Sequence, residues 1–329
     1  PPEAAPMHTQ QNTHHTPRTE MQDPRYDGLD TWSTATVLES LLESQLAATA
    51  AVKSALVDIE AAIAQATPRL ERGGRLFYVG AGTSGRIGLQ DGVELIPTYG
   101  WPSERLVLLL AGGEAALFSP VEGAEDDEDE AQRAITSHTP TADDVVIGIA
   151  ASGNTPYTCA ALASARFCGS LTIGLSCTPG TRLLAETDIG ILTETGPEVV
   201  AGSTRMKAGT AQKISLNLLS TTLMIRLGHT WRGHMVDMRI VNAKLVHRAL
   251  RMITKLTDCS DEQAQAALLK ADGSIKLAIL LRQGLDPAQG RMLLRLCDGH
   301  LRRALELLAV QAARGVGPTV QNQHEQAGA

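Results

Sequence analysis

Apolar residues recur at three- and four-residue steps from Asp30 to about Glu71, at Leu38, Leu41, Leu42, Leu46, Val52, Leu56, Ile59 and Ile63. That period predicts helix, broken at Pro68 and Gly73-Gly74. Five short apolar runs follow, at 75–80, 105–112, 144–151, 170–177 and 188–194. They read as buried parallel strands, because alternation is missing and glycine bounds most of them. Helix-like stretches lie between them, roughly 84–95, 120–137, 156–168 and 181–186. Beyond Gly202 two longer helical runs, about 204–228 and 239–256, follow one another with no strand signal.

Alternating strands and helices with short connections predict an α/β fold with an open, doubly wound parallel sheet covered on both faces. From Thr257 a small helical unit begins. Ser260 with Gln263 makes a capping box, Gly273 a stop, and Asp286 before Pro287 a second start, so three short helices are expected. The expected organisation is a loose lead over 1–29, a large α/β unit over 30–256, a helical unit over 257–313 and a loose tail over 314–329.

Three loops carry the candidate chemistry. Gly80-Ala81-Gly82-Thr83-Ser84-Gly85 follows the first strand, Ala150-Ala151-Ser152-Gly153-Asn154-Thr155 follows the third, and Gly202-Ser203-Thr204-Arg205-Met206-Lys207 heads the long helix. A small-residue loop opening a helix offers unpaired N–H groups and the positive end of the helix dipole, which suits one phosphate. No G-K-[ST] follows, so these are not nucleotide P-loops, and no acidic residue completes a dinucleotide fingerprint. Any single loop could equally be a plain helix start.

Composition narrows the partners. Three Trp, four Tyr and three Phe in 329 residues leave little for a base-stacking surface, and a net charge of −7 argues against nucleic acid. No apolar run reaches the ~18–20 residues of a membrane span, and the N-terminus lacks a signal-type apolar core. Cys159, Cys168, Cys177, Cys259 and Cys297 form no C-x-x-C pair and read as reduced thiols. His14 and His15 read as solvated. A soluble, cytoplasmic protein with no metal site and no cofactor is expected.

Two carboxylate candidates stand out. In EGAEDDEDE (122–130) either Glu122 or Glu125 could face inward, and composition does not choose. Glu94 follows a mostly uncharged run and precedes Leu95-Ile96-Pro97. A carboxyl among apolar neighbours tends toward a raised pKa and suits a general acid, although a helix-end ion pair explains Glu94 as well.

The segments GRLFYVGAGTSGRIGLQDGVELIPTYG, VEGAEDDED, DVVIGIAASGNTPY, GSTRMKAGTAQKISLNLLSTTLMIRLG and MVDMRIVNAKL, in this order from about residue 17 to 306, resemble the N-acetylmuramic acid 6-phosphate etherases. These are of the sugar-isomerase (SIS) domain class, with the glucokinase regulatory protein as a relative. The resemblance implies an SIS-type five-stranded parallel sheet and a C-terminal helical part similar to ubiquitin-associated (UBA) domains. It also implies cleavage of the D-lactyl ether of N-acetylmuramate 6-phosphate without a metal, releasing N-acetylglucosamine 6-phosphate and D-lactate in cell-wall sugar recycling. By resemblance Glu94 is the acid that assists lactate departure and Glu125 the base that removes the C2 proton. Thr83, Ser84, Ser152 and Thr155 would bind phosphate and Ser203 the sugar. Asn154 stands where the family usually has Arg, and Leu95-Ile96 where it usually has Cys-Pro.

Glu94 lies ten residues after Ser84, ~15 Å along an unbroken helix. Either that helix bends near Gly88 or Gly92, or Glu94 serves the phosphate site of a second copy. A homodimer with sites at the subunit interface is the expected partner arrangement, besides the small sugar phosphate. The alternative function is a non-catalytic SIS regulator that senses sugar phosphates and docks a protein.

Overall fold

A computed structural model describes residues 17–313. The expectations of a loose lead over 1–16 and a loose tail over 314–329 lie outside the described residues. The expected lead is not loose throughout. Residues 18–20, 24–26 and 29–31 form short 3-10 turns, and Thr19 is fully buried, within 3.5 Å of Thr178 Oγ1.

The helical run predicted from Asp30 divides into α1 (Thr34–Ser54) and α2 (Leu56–Glu71), hinged at Ala55. Pro68 does not stop α2 but sits in its last turn, where the carbonyl it cannot engage belongs to exposed Ala64. Then come β1 (Leu76–Gly80), α3 (Gly82–Tyr99), β2 (Leu106–Leu110), α4 (Glu128–Ser137), β3 (Val145–Ala150), α5 (Pro156–Phe167), β4 (Leu171–Ser176), α6 (Arg182–Glu186) and β5 (Ile189–Leu192). The five strands form one parallel sheet in the order β2-β1-β3-β4-β5, as the unbroken apolar runs of the three inner strands require.

Alternate residues of β1 serve two cores. Leu76 and Tyr78 join Ile147, Ile149, Leu219 and Leu223 under α2, α3 and the long helix α7 (Lys207–Arg226). Phe77 and Val79 join Ala131, Ile135 and Leu162 under α4 and α5. This is the SIS-type α/β architecture expected.

Strand order turns between β1 and β3, whose following loops diverge to opposite faces and leave a crevice at the carboxyl end of the sheet. The amino end is closed by side chains. Asp144 accepts from the Arg75 N–H at 2.8 Å, from its guanidinium at 2.7 Å and from the Thr141 N–H at 2.8 Å. Asp188 does the same for the Thr172 N–H at 2.9 Å and Arg166 at 3.0 Å.

The expected helix over 120–137 is only partly formed. Gly123, at φ +70°, turns the chain into a 3-10 turn at Ala124–Asp126, and α4 starts where the Asp127 carboxylate caps the Glu130 N–H at 2.8 Å. Past α7 a two-residue hairpin, β6 (Thr230–Trp231) with β7 (His234–Met235), replaces the strand-free stretch expected there. Arg232 and Gly233 both take positive φ, as a tight I′-like turn demands.

Helices α8 (Ala243–Thr257), α9 (Asp261–Lys270), α10 (Ile275–Arg282), α11 (Pro287–Leu296) and α12 (Leu301–Ala313) follow, so the short helices beyond Thr257 number four among the described residues, not three. The predicted capping box forms at Ser260/Gln263, and the predicted start at Asp286 turns out to carry a second one with Gln289. The core of this unit also takes in Val236, Met238 and the α8 residues Ala249 and Ile253, which the sequence reading grouped with the larger unit. Its anchor is Lys276, which donates to Asp237 and, at 2.7 Å, to the Gly299 carbonyl; Asp237 is also 2.8 Å from His229 Nδ1.

Candidate active site

The first two loops meet. α3 begins at Gly82 with no side-chain cap on Ala81, so the N–H groups of its first turn are free of side-chain partners. α5 likewise begins behind Thr155 without a side-chain cap, and Pro156 brings no N–H to its first position. Between these ends lies a cavity of about 460 Å³ lined by Thr83, Ser84, Ser152, Asn154 and Thr155, with Glu125 on its wall. All five predicted hydroxyl and amide residues of the two loops therefore share one space with one predicted carboxylate.

Charge in this cavity runs one way. Glu20, Glu125 and Asp126 line it, and no Lys or Arg does among the described residues. An anion here must be held by backbone N–H groups and hydroxyls, with the aligned dipoles of two helices behind them. Asn154 does not restore the missing cation. It is exposed, and its Oδ1 accepts the Arg182 N–H at 3.0 Å, capping α6 and leaving Nδ2 as its donor. Arg182 itself pairs with Glu128 and Glu186.

The third loop is built differently from the other two. Glu198, 1% exposed, accepts the Lys207 N–H at 3.1 Å and the Ala208 N–H at 2.8 Å, so the N-terminus of α7 already holds a carboxylate of the chain. Ser203 is half-buried and does not line the cavity; its neighbour Thr204 does. Lys207 is buried and donates to the Pro197 carbonyl at 2.7 Å. Burial holds its ammonium below the usual lysine pKa, against the pull of Glu198.

The carboxylates separate. Gly123 puts Glu125 on the wall of the cavity between α3 and α5 and Glu122 in a neighbouring cavity of about 710 Å³ against β2. Glu94 is exposed, not enclosed by apolar neighbours, and lines neither cavity. α3 runs unbroken through Gly88 and Gly92, which serve packing instead of a bend. A Cβ on Gly88 would come within 2.4 Å of Ile149, and one on Gly92 within 2.7 Å of Leu108.

The Asp91 carboxylate anchors this helix from below, taking the Tyr78 hydroxyl at 3.0 Å and Asn217 Nδ2 at 2.6 Å. Burial, then the Asp91 charge, pushes the Tyr78 phenol well above its usual pKa. The buried thiols of Cys159 and Cys177 are both pushed up to about 11, chiefly by desolvation, and are not nucleophiles at neutral pH.

Several cavity residues escaped sequence reading. Pro17 and Glu20 come from the lead, and Thr204 from beside the predicted Ser203. Gln212 stands behind Ser84, whose Oγ donates to its Oε1 at 3.1 Å. The only signal for Gln212 was a polar residue in a small, apolar helical stretch.

Comparison with known proteins follows the same outline. Residues 58–166 match the N-terminal SIS domain of glucokinase regulatory protein, 127–222 the SIS domain and 232–275 the C-terminal lid domain of glucokinase regulatory protein. A Deinococcus radiodurans protein named N-acetylmuramic acid 6-phosphate etherase is 49% identical over 88% of this chain and 95% of its own length. Proteins of the same name from Streptomyces avermitilis and Pseudothermotoga lettingae are 47% and 43% identical, over 78% and 88% of this chain and 83% and 97% of their own.

Proposed function

This chain belongs to the N-acetylmuramic acid 6-phosphate etherase family, and from that premise we propose that it acts as a carbon–oxygen lyase in the cytoplasm, in the recycling of cell-wall amino sugars. The observation that carries the reading is the convergence of two uncapped helix N-termini and Glu125 on one cavity.

An unactivated ether resists hydrolysis, but the open-chain sugar has an aldehyde at C1 that acidifies the C2 hydrogen. Glu125 as carboxylate removes that proton, and the electron pair forms the C2–C3 double bond. The C3–O bond breaks as a neutral carboxyl protonates the departing oxygen, and D-lactate leaves. Water then adds to the unsaturated aldehyde at C3, giving N-acetylglucosamine 6-phosphate. One carboxyl must start charged and the other protonated. Thr83, Ser84, Ser152 and Thr155, with the free N–H groups, hold the phosphate and align C2 with the base.

Glu94 is the protonated partner, supplied by a second copy of the chain. Its exposure and its distance along an unbroken α3 both support this. So does an unpartnered apolar stripe on α1, where Leu38, Leu42 and Leu46 are each more than 60% exposed at helical spacing. Release of D-lactate from N-acetylmuramate 6-phosphate tests the reading. Wild type is expected to turn over, while E94Q and S84A subunits, each impaired alone, regain activity when mixed. Binding without lactate release points to a sensor; full activity in a monomer or failure to complement removes the shared site.

A further inference from the structure

Gln212 stands behind the phosphate-type loop rather than in it. Its side chain projects from α7 and is fully buried, and its only hydrogen bond among the described residues is the one from Ser84. A serine has a single hydroxyl proton. In this arrangement that proton is directed at Gln212 Oε1, away from the cavity that Ser84 lines, while the two N–H donors of Gln212 Nε2 meet no partner among the described residues.

Turning the amide over exchanges atoms of nearly equal size. Nε2 then donates to Ser84 Oγ, and the hydroxyl proton is free to swing into the cavity. A buried N–H is the costlier half of an amide to leave unpaired, so the turned state is favourable in itself. A phosphate oxygen in the cavity favours it further, because a hydroxyl facing an anion must donate to it.

We propose that Gln212 is a positioning residue for the phosphate. By donating from Nε2 to Ser84 Oγ it aims the Ser84 hydroxyl proton at the anion, and it discriminates for a group that accepts at that point. This rests on the reading of the cavity as a phosphate site. Gln212 touches no reacting atom, so its contribution falls on binding and is shared by ground and transition states.

The test uses the full chain, with inorganic phosphate as probe and lactate release as a second readout, on wild type, S84A, Q212M, Q212E and S84A/Q212M. Q212M, nearly isosteric but unable to donate, is expected to weaken phosphate binding and raise KM about tenfold, with kcat within about twofold. In the double variant the loss equals that of S84A alone, since both changes remove one interaction. Q212E adds a pH signature that a packing role would not produce. Below the burial-raised pKa of the introduced carboxyl its O–H donates to Ser84. Above it the carboxylate takes the Ser84 proton and repels phosphate, so the loss relative to wild type at the same pH grows from pH 6 to pH 8. Wild-type phosphate affinity in Q212M, losses that multiply in the double variant, or a pH-independent Q212E overturns the proposal. Should Q212M fail to fold, the isosteric Q212E decides. Phosphate binding that follows this pattern without lactate release would sink the etherase reading and leave Gln212 in place; lactate release with unaltered Q212M phosphate affinity would do the reverse.

Discussion

The two ends of the parallel sheet are built from similar residues and do opposite things. At the amino end every strand start is stapled. Asp144 gathers two backbone N–H groups and the Arg75 guanidinium, Asp188 gathers the Thr172 N–H and Arg166, and Arg105 donates to the Gly74 carbonyl at 3.0 Å. At the carboxyl end two helices start without side-chain caps, and among the described residues a buried amide nitrogen lacks a partner and no lysine or arginine lines the acidic cavity. Polar groups satisfied within the chain give stability; those left open are held for a ligand. α7 shows how small the difference can be, since Glu198 takes up the Lys207 and Ala208 N–H groups of a third glycine- and serine-rich start.

The largest effects that break this contrast belong to the carboxylates. E125Q and E94Q should each lower kcat by about 10²–10⁴, with KM little changed. Because both side chains are exposed, the unfolding free energy measured in urea should change by less than about 0.5 kcal/mol.

At the amino end the pattern reverses. D144A takes the counter-charge from the Arg75 guanidinium, which keeps only the His138 and Thr139 carbonyls, and leaves two N–H groups without their acceptor, so about 3 kcal/mol of stability should go while kcat of the folded fraction stays put. Burial alone would raise the Asp144 pKa, but the Arg75 and Thr141 hydrogen bonds hold it below the ordinary aspartate value of 3.8. A depressed folded pKa gives stability that is present above pH 3.8 and lost as the pH falls below it. The wild-type advantage over D144N in urea should therefore shrink in acid.

E198A sharpens the comparison in the middle. Uncapping α7 should cost about 1–2 kcal/mol, and the variant should then gain more thermal stability from added phosphate than wild type does. N154R is the smallest change. A guanidinium at the cavity rim should lower KM about threefold to tenfold, at a cost of about 0.5–1 kcal/mol from the lost α6 cap.

The sheet was legible because unbroken apolar runs such as 145–150 and 171–176 can only be buried on two faces, and the helical unit because its start signals, such as the Ser260/Gln263 capping box, lie within three residues. That the two glycine- and serine-rich loops open helices α3 and α5 was legible for the same local reason. What escaped was set by chain geometry between distant residues. Glu198 reaches α7 from nine positions upstream through an irregular loop, Gln212 meets Ser84 across 128 positions, and Thr19 packs on Thr178 from a segment with no apolar period. That Glu125 and not Glu122 lines the cavity between α3 and α5 turns on one left-handed glycine, Gly123, which composition alone does not mark as a turn rather than a helix position.

The most direct measurement follows the C2 hydrogen. In deuterated water with N-acetylmuramate 6-phosphate, wild type should place solvent deuterium at C2 of the N-acetylglucosamine 6-phosphate as lactate is released, and E125Q should lose both exchange and release together. Exchange at C2 by E125Q at the wild-type rate would contradict the assignment of Glu125 as the base on the wall of this cavity.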